Sequence, residues 1–396
     1  MKKLTIAIPT TGKRNTIVHS IKSILQNEED FILLISINAT FPDKDILNNI
    51  SAIEDNRIKI IYTYEDLSMK NHYEFILNNF DSEWVTFIGD DDGMLNFTVS
   101  YFYKLLSIHD FKVIKFDSLK YFWPEAQNNL INRIKFNLSF RNADVYIPKI
   151  QKIKIVYEKT DLVLKQLTNG LRRYNSLPML YQGGFIHQDI INKCKIRNKF
   201  FHGPVPDLFS AFAISVNITE YLHVKIPLII EGISIHSIGM SQFTNKSKNL
   251  NPEKDFENKL VNEQTQILDI PKMNRFIKSI PLLELQSLLI CDKIYKKNTI
   301  DYTIKNQLIR ALVQTNSFRP ELITRVKYYC NEFNLNFHNL YFISILLKPF
   351  VLLHTIFYRI FINRYAQLYL KNLCITNIND ATFHLSKVIK DTNFEK

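Results

Sequence analysis

The residues best suited to chemistry are three consecutive carboxylates, Asp90, Asp91 and Asp92, which follow an apolar run at residues 84–88 after a single glycine. Adjacent acids repel one another, and a hard divalent cation such as Mg²⁺ or Mn²⁺, which prefers oxygen ligands, would relieve the repulsion. Because side chains alternate along an extended chain, Asp90 and Asp92 are predicted to share a face toward the metal, with Asp91 on the other. A solvated acidic turn or a helix N-cap would use the same residue type. The run is therefore a candidate site for a cation and a diphosphate.

The elements that would hold this run alternate between strand-like and helix-like segments over the first 120 residues. Strands are predicted at residues 4–8, 31–37, 57–62, 84–88 and 112–116, and helices at 15–25, 44–53, 68–80 and 98–107. This alternation predicts an α/β, Rossmann-like fold with a mostly parallel sheet and flanking helices. Residues 119–150 are predicted to form an insertion, either a long loop or a hairpin, and residues 150–168 a helix.

The composition changes near residue 245, which predicts a boundary between an α/β domain at 1–244 and an all-α C-terminal domain at 245–396. The charge is also divided unevenly. The chain carries a net +12, and residues 245–396 hold 22 Lys and Arg against 13 Asp and Glu, a net +9. A basic excess favours an anionic partner, namely a phosphorylated substrate, a nucleic acid or an acidic membrane surface.

Several classes of protein are excluded by what the sequence lacks. Only 9 of the 396 residues are glycine, and neither a Walker-type nor a dinucleotide-binding glycine motif is present. The four cysteines include no C-x-x-C pair, which argues against a zinc ribbon or a secreted disulfide framework and predicts a cytoplasmic protein. The first apolar segment ends at Pro9, too soon for a signal peptide, and no run of about 18 apolar residues predicts a spanning helix.

Several ordered motifs resemble the family 2-like glycosyltransferases, which are inverting nucleotide-sugar transferases with a GT-A fold. In chain order the motifs are Ile6-Ala7-Ile8-Pro9-Thr10-Thr11-Gly12-Lys13-Arg14, Ser23-Ile24-Leu25-Gln26, Met69-Lys70-Asn71, Phe80-Asp81-Ser82-Glu83 and the three acids. The first is similar to that family's opening strand and donor loop, and the last to its Asp-x-Asp motif. The resemblance covers about residues 3–240.

The resemblance implies a donor site built on these motifs. The residues that would contact the sugar nucleotide are Pro9, Thr10, Thr11, Arg14, Asn71, Asp90 and Asp91, with Lys13 as a weaker candidate. Asn38 stands where the family usually places the acid that holds the nucleobase. Asp90 and Asp92 would hold the metal, and His236 would complete its coordination, which suits Mn²⁺ better than Mg²⁺. Exposed or structural roles would also explain Lys13, Arg14, Asn71 and His236.

Inverting transfer also needs a base that deprotonates the acceptor hydroxyl on the side opposite the leaving group. Asp207 follows a proline-rich turn at the start of an apolar helix and resembles the family's acceptor-side acid, so it is the predicted base. A helix N-cap would use the same residue. Asp189 is the reserve candidate, and His187 and His202 would line the acceptor pocket.

Residues 341–373 form an apolar, aromatic stretch whose charges are all basic, and no acid lies between Glu332 and Asp380. Such a helix would lie well in an anionic membrane interface, where a lipid-linked acceptor would be found. A buried helix whose Lys and Arg side chains reach solvent would have the same composition. A contact in a homodimer is the third alternative.

These patterns predict a cytoplasmic, inverting glycosyltransferase, peripheral on the inner face of the cell membrane. It would use Mn²⁺ or Mg²⁺ and move a sugar from a nucleoside-diphosphate sugar to a saccharide or lipid-linked saccharide acceptor in capsule, lipopolysaccharide or related glycan synthesis. The alternative enzyme is a sugar nucleotidyltransferase, which normally has a richer glycine and lysine loop after its first strand. The alternative from another class is a basic nucleic-acid- or membrane-binding protein without catalysis, and three acids at a strand end argue against nucleic acid.

Overall fold

The computed structural model describes residues 4–127, 145–146, 154–234, 279–296, 303–314, 320–357 and 375–393. Within these residues, ten strands form one sheet. They are β1 (Leu4–Thr10), β2 (Ile32–Ile37), β3 (Ile58–Tyr62), β4 (Trp84–Phe87), β5 (Gly93–Met94), β6 (Val113–Phe122), β7 (Val145–Tyr146), β8 (Ile155–Lys159), β9 (Gly184–His187) and β10 (Glu220–Ile233).

The sheet has the order β3-β2-β1-β4-β9-β6-β10-β5, with β7 beside β6 and β8 beside β10. The strands β1, β2, β3, β4, β6 and β10 run parallel to one another, whereas β5, β7, β8 and β9 run antiparallel to them. The carboxyl ends of β1, β4, β6 and β10 therefore lie at one edge of the sheet. The three acids follow β4 at this edge.

Twelve α-helices are described along the same residues. They are α1 (Thr16–Leu25), α2 (Lys44–Ser51), α3 (Met69–Asn79), α4 (Thr98–Ile108), α5 (Thr160–Thr168), α6 (Gln188–Cys194), α7 (Pro206–Asn217), α8 (Ile280–Tyr295), α9 (Thr303–Gln314), α10 (Pro320–Glu332), α11 (Phe337–Phe357) and α12 (Ile378–Asn393). Side chains cap several of them: Asp43 accepts hydrogen bonds from two backbone N–H groups at the start of α2, and Ser68 accepts one at the start of α3.

Helices cover both faces of the sheet, because its strands send apolar side chains alternately to two cores. In β1, Ile6 and Ile8 join a core with α1 and α4, whereas Ala7 joins a second core with α3, α7 and α8. The helices complete these cores through side chains at helical spacing, such as Ile17, Ile21 and Ile24 in α1. A parallel sheet that is buried on both faces has few positions for polar side chains in its strands. Functional polar residues are therefore expected in the loops at its edge.

The predicted α/β class with a mostly parallel sheet is confirmed. The five predicted strands correspond to β1, β2, β3, β4 and β6, and the first four predicted helices to α1, α2, α3 and α4. β7 pairs antiparallel with β6, as the hairpin alternative for residues 119–150 requires. The rest of that predicted insertion, at 128–144 and 147–150, lies outside the described residues.

The prediction of one helix over residues 150–168 is wrong in its first half. Residues Ile155–Lys159 form β8, and only Thr160–Thr168 is helical. β8 pairs antiparallel with β10 and buries Glu158, whose carboxylate lies 3.1 Å from the Arg172 guanidinium. Pairing with a distant strand, which no local pattern records, decides the conformation here.

The described residues after 278 are helical wherever they have regular structure, but they do not form one separate layer. Parts of α8, α9, α10 and α11 share a core of their own that includes Leu285, Leu308 and Tyr329. In contrast, α12 packs against α1 and β5, and its Ile378 and Leu385 join the core of the α/β unit. The last helix of the predicted domain at 245–396 is thus part of the α/β unit, while the predicted boundary near 245 lies outside the described residues.

The longest described helix is α11, which has 21 residues and contains Pro349. No helix among the described residues combines the length and the apolar composition that crossing a membrane requires.

Candidate active site

The three acids lie in a turn at the carboxyl end of β4. The strand ends at Phe87, and the Asp92 N–H donates a hydrogen bond to the Gly89 carbonyl at 3.2 Å. The predicted alternation of an extended chain is therefore wrong, because the turn gives each carboxylate its own surroundings. Asp90 and Asp91 are each 6% exposed and Asp92 is 1% exposed. Three neighbouring carboxylates are thus buried together, which excludes a solvated acidic turn.

Asp92 holds the turn together. Its Oδ2 accepts hydrogen bonds from the Gly89 N–H at 2.9 Å and the Tyr181 hydroxyl at 2.5 Å, and its Oδ1 accepts one from the Gly232 N–H at 2.7 Å. Burial, and then the charge of Asp91, raise the pKa of Asp92 well above its ordinary value, while these three donors oppose the shift. Asp92 therefore connects β4 to β10 and to the loop before β9.

Asp91 faces β10 and the end of β6. Its Oδ2 accepts a hydrogen bond from the Ser234 hydroxyl at 2.7 Å, and its carbonyl accepts one from the Trp123 indole N–H at 2.9 Å. A Cβ at Gly232 would lie 1.7 Å from that carbonyl oxygen, so only glycine permits this close approach. Burial, and then the charge of Asp90, raise the pKa of Asp91 to about 7. A tight turn and a glycine are thus needed to hold these like charges together.

Asp90 faces the loop that follows β1. Its Oδ2 accepts a hydrogen bond from the Thr10 hydroxyl at 2.7 Å, and its Oδ1 lies 3.3 Å from the Arg14 guanidinium. The Thr10 hydroxyl in turn accepts the Gly12 N–H at 3.0 Å, which shapes the loop. The structure therefore brings the predicted donor loop and the acids together, although they are about 80 residues apart in sequence.

The remaining residues of the predicted donor loop differ in exposure. Pro9 lies within β1 opposite Ser36 of β2, Thr11 is half-buried, and Lys13 is exposed. Arg14 is thus the basic side chain of this loop that contacts the acids, with 27% of its side chain exposed. That exposure leaves the guanidinium accessible to an anion.

The carboxylate oxygens of the acid turn are ligands that a hard cation such as Mg²⁺ or Mn²⁺ prefers. Asp92 has little spare capacity, because three protein donors occupy most of the four lone-pair positions of a carboxylate. Among the described residues, no three His, Cys, Asp or Glu side chains are arranged as a ready metal site. The predicted third ligand, His236, lies outside the described residues. The prediction of a metal at Asp90, Asp92 and His236 therefore stays a prediction.

Two asparagines predicted for the donor site have identifiable surroundings. Asn38 follows β2 and is 5% exposed; its amide exchanges two hydrogen bonds of 2.9 Å with the Leu67 backbone. This arrangement fixes the loop between β3 and α3 and commits most of the amide to the protein. Asn71 lies in the first turn of α3, where its N–H donates to the Ser68 hydroxyl at 3.3 Å. Neither contact tests the predicted roles in binding the donor.

Asp207 lies in the first turn of α7, but it does not cap the helix. The N-cap position is Val205, which provides no side-chain hydrogen bond, and Pro206 begins the helix. The Asp207 Oδ1 is buried and has no hydrogen-bond donor among the described residues. Burial raises the pKa of Asp207 to about 6. A carboxylate with one buried, unpartnered oxygen and a raised pKa has the properties of a general base.

Asp207 and the acid turn lie on the same side of the molecule. The hydroxyl of the buried Tyr73 has its pKa raised by burial and then by the charges of Asp207, Asp92, Asp90 and Asp91. All four carboxylates therefore lie within electrostatic reach of one phenol. Asp207 and the three acids are thus neighbours of the same tyrosine.

The loop at residues 177–183 connects these two parts, and the sequence did not reveal this function. The Leu180 carbonyl accepts the Phe87 N–H at 2.8 Å, and the Leu180 N–H donates to the Ser210 hydroxyl of α7 at 3.2 Å. The next residue, Tyr181, donates to Asp92. The contacts with Phe87 and Asp92 join residues about 90 positions apart, which a local pattern does not show.

The other polar candidates lie away from the acid turn. Asp189 is half-exposed at the start of α6 and forms an ion pair of 2.6 Å with Lys112, which lowers the pKa of Asp189. His187 pairs with Trp84 at the opposite end of β4 from the acids. His202 is buried beside Phe209, and burial lowers its pKa to about 4. Asp189 therefore has the surroundings of a surface ion pair and not of a base.

Of the comparisons with known proteins, the comparison with solved structures gives matches. No family model matches the chain, and no curated protein matches its sequence. Among solved structures, the chain is similar to S. aureus TarS residues 1–349 in complex with UDP-GlcNAc, with 12% identity, a TM-score of 0.45 and coverage of 83% of this chain and 84% of that one. The complex of the same segment with UDP gives 10% identity, a TM-score of 0.44 and coverage of 86% and 90%. Likeness at this level does not establish a function.

Proposed function

We propose that this protein is an inverting glycosyltransferase that moves a sugar from a nucleoside-diphosphate sugar to a saccharide acceptor. The observation that carries the proposal is a buried carboxylate turn that has Arg14 beside Asp90 and is joined through the loop at 177–183 to the helix of Asp207, whose Oδ1 is buried without a hydrogen-bond donor among the described residues. A transferase that releases a diphosphate needs positive charge at the leaving group and a base at the incoming hydroxyl. The UDP and UDP-GlcNAc complexes of TarS are compatible with such a donor.

The residues divide the reaction between them. The acceptor hydroxyl gives its proton to Asp207 as its oxygen bonds to the anomeric carbon, and the bond from that carbon to the diphosphate breaks with its electron pair on the diphosphate. Arg14, which lies 3.3 Å from Asp90 and is partly exposed, is the cation that we assign to the departing phosphate. A divalent cation, Mn²⁺ or Mg²⁺, held by Asp90 and Asp92 would supply Lewis-acid stabilisation of that charge. Thr10 and Tyr181 hold the two carboxylates in place.

Donor binding provides the direct test. A panel of UDP-, GDP-, dTDP- and CDP-sugars with Mn²⁺ is expected to include a ligand that raises the melting temperature, since a ligand at 100 times its Kd stabilises by about 2.7 kcal/mol. Arg14→Gln is expected to weaken that binding about tenfold or more, because hydrogen bonds between charged groups are among the stronger ones. Lys13→Gln removes an exposed neighbouring charge and serves as the matched control. Absence of stabilisation by every member of the panel would refute the proposal.

We also propose that the enzyme docks on an anionic membrane surface on the cytoplasmic side, where it meets a lipid-linked acceptor of capsule, lipopolysaccharide or a related glycan. One side of α11 carries an apolar stripe of Phe342, Ile345, Leu346, Phe350 and Leu353, each between 51% and 69% exposed. The spacing of three and four residues places these side chains on one helix face. Exposed apolar patches of this kind mark interaction surfaces, and the exposed Lys348 and the acid-free sequence around the stripe suit anionic lipid.

Vesicle flotation tests this docking. The full chain is expected to float with vesicles containing anionic phosphatidylglycerol and to float much less with neutral phosphatidylcholine. Phe350→Glu with Leu353→Glu is expected to reduce the bound fraction at least tenfold, since each buried side chain contributes about 1.5–3 kcal/mol. Phe41→Glu, at a residue 83% exposed elsewhere, is the control. A wild-type dimer that the double variant dissociates would instead assign the stripe to a second copy of the chain.

A further inference from the structure

A small polar cavity lies against β6, next to the loop whose Tyr181 contacts the acid turn. It has a volume of about 150 Å³ and is lined by Lys115, Asp117, Ser118, Asn175 and Gln182. The first three are on β6, and the other two lie in the segment between α5 and β9. This volume exceeds what one or two water molecules need and is suited to a small polar ligand.

Two of the lining groups are buried without a protein partner. Lys115 is 3% exposed, and its ammonium forms no hydrogen bond or close ion pair with another described residue. Burial lowers the pKa of Lys115 to about 8, against the opposing charges of Asp117 and Glu231. The Gln182 Oε1 is likewise buried without a donor, and the Gln182 backbone has a φ of 57°. Unpaired buried polar groups cost free energy, so their retention calls for a ligand that satisfies them.

The cavity adjoins the site through two chain connections. Gln182 follows Tyr181, and Glu231 precedes Gly232; Tyr181 and Gly232 both donate hydrogen bonds to Asp92. Tyr174, next to the lining residue Asn175, has its pKa raised by burial and then by the charges of Asp207 and Glu231. A ligand in the cavity would therefore lie next to the loop that contacts the acid turn, and Asn175 follows a tyrosine that the charge of Asp207 reaches.

The position of the cavity within the sheet favours an acceptor over a donor. Arg14 and Thr10 contact the acid turn from the β1 side, whereas the cavity lies on the side of β6. In an inverting transfer the incoming hydroxyl approaches from the side opposite the leaving group. A diphosphate beside Arg14 would thus place the nucleotide away from the cavity and the acceptor toward it.

The chemistry of the lining groups favours sugar hydroxyls over an anion. Lys115 and Asn175 can donate hydrogen bonds, Asp117 can accept them, and the amides and Ser118 can do either. Asp117 and Glu231 both face this region, and Glu231 accepts a hydrogen bond from the Ser118 hydroxyl, so the negative charges oppose a phosphate or carboxylate. We propose that this cavity binds one monosaccharide residue of the acceptor, with Lys115 and Gln182 hydrogen-bonded to its hydroxyls. This inference rests on the proposed function.

Saturation-transfer NMR with defined sugars tests the proposal. The probes are the p-nitrophenyl glycosides of glucose, galactose and N-acetylglucosamine, added to the full chain. At least one is expected to receive saturation from the wild type, and Lys115→Met is expected to reduce its binding at least tenfold. Lys112→Met is the control on the neighbouring part of the chain, where the ammonium is half-exposed and paired with Asp189. Lys115→Met removes a buried charge, so its melting temperature should equal or exceed that of the wild type.

Kinetics separate this proposal from the proposed function. In Lys115→Met and Gln182→Asn, the KM for a glycoside acceptor is expected to rise about tenfold, while the KM for the donor and donor hydrolysis without acceptor stay unchanged. Saturation transfer to none of the three glycosides, or equal transfer to wild type and Lys115→Met, would overturn the cavity assignment. So would a rise in the donor KM alone, which would place the donor's sugar in the cavity. Failure of every sugar nucleotide to bind would instead remove the proposed function itself.

Discussion

Replacing Asp207 with asparagine is expected to lower kcat by about 10²- to 10⁴-fold, the usual contribution of a general base. The amide has nearly the shape of the carboxylate but cannot take the acceptor's proton. The donor contacts at Arg14 and the acid turn do not involve Asp207, so donor affinity should stay within about twofold of wild type. The measurement is steady-state transfer together with calorimetric donor binding.

The pH dependence of kcat is an independent test of Asp207 as the base. Burial raises the pKa of Asp207 to about 6, so the base is charged above that pH and protonated below it. Wild-type kcat is therefore expected to fall about tenfold per pH unit below about pH 6. The Asp207→Asn variant should lack this limb of the profile, whereas a purely structural residue would leave the limb in place.

Stability distinguishes loss of the base from loss of the fold. A carboxyl whose pKa is raised in the folded state stabilises the fold at low pH, and that contribution is lost as the pH rises through about 6. At pH 7.5 the charged Asp207 is thus unfavourable for folding, and the asparagine variant should melt at the same or a higher temperature. Asp189→Asn is the matched control, because Asp189 lies in a surface ion pair and should not affect kcat. Equal kcat values for Asp207→Asn and wild type would remove Asp207 as the base.

The parts of the fold that the sequence predicts well are those whose signal is local. In the first 116 residues, short β-branched runs alternate with amphipathic segments, and each predicted element corresponds to a strand or helix of the structure. The same reasoning fails at β8, because the local pattern of residues 150–168 is helical and pairing with β10 decides otherwise. A local pattern predicts that α12 is helical but does not show that it packs on α1, some 350 residues away in the chain.

In the candidate site, too, the features with a local signal could be predicted and the contacts between distant segments could not. The position of the three acids follows from the apolar run before them, and the contact of Asp90 with the loop after β1 follows from parallel strands sharing an edge. The partners of the other two acids could not be predicted. Tyr181, Gly232 and Ser234 reach the turn from segments about 90 to 140 residues away. A tyrosine, a glycine and a serine are common residues, and nothing in the sequence around them indicates a contact with the acids.

In the protein without a cation, the burial of those acids lowers the stability of the fold. Burial, and then Asp90, raise the pKa of Asp91 to about 7, and burial, and then Asp91, raise the pKa of Asp92 well above its ordinary value. Like charges that are held together in a low-dielectric site destabilise the fold, and evolution retains such strain where function needs it. Asp91→Asn is accordingly expected to raise the melting temperature of the metal-free protein. Asp81→Asn, at an exposed acid before β4, should leave that temperature unchanged.

Removal of the divalent cation is expected to reduce transfer at least 10³-fold, because Lewis-acid stabilisation of a leaving diphosphate is worth several kcal/mol. The experiment treats the enzyme with EDTA, measures transfer, and restores activity with Mn²⁺ or Mg²⁺. Binding is followed separately by the electron paramagnetic resonance signal of free Mn²⁺, which should show at least tenfold weaker binding to Asp90→Asn and Asp92→Asn than to Asp81→Asn. Full turnover in EDTA, or by Asp92→Asn, would show that Arg14 stabilises the leaving group without a metal, and the buried acids would then serve to hold the turn.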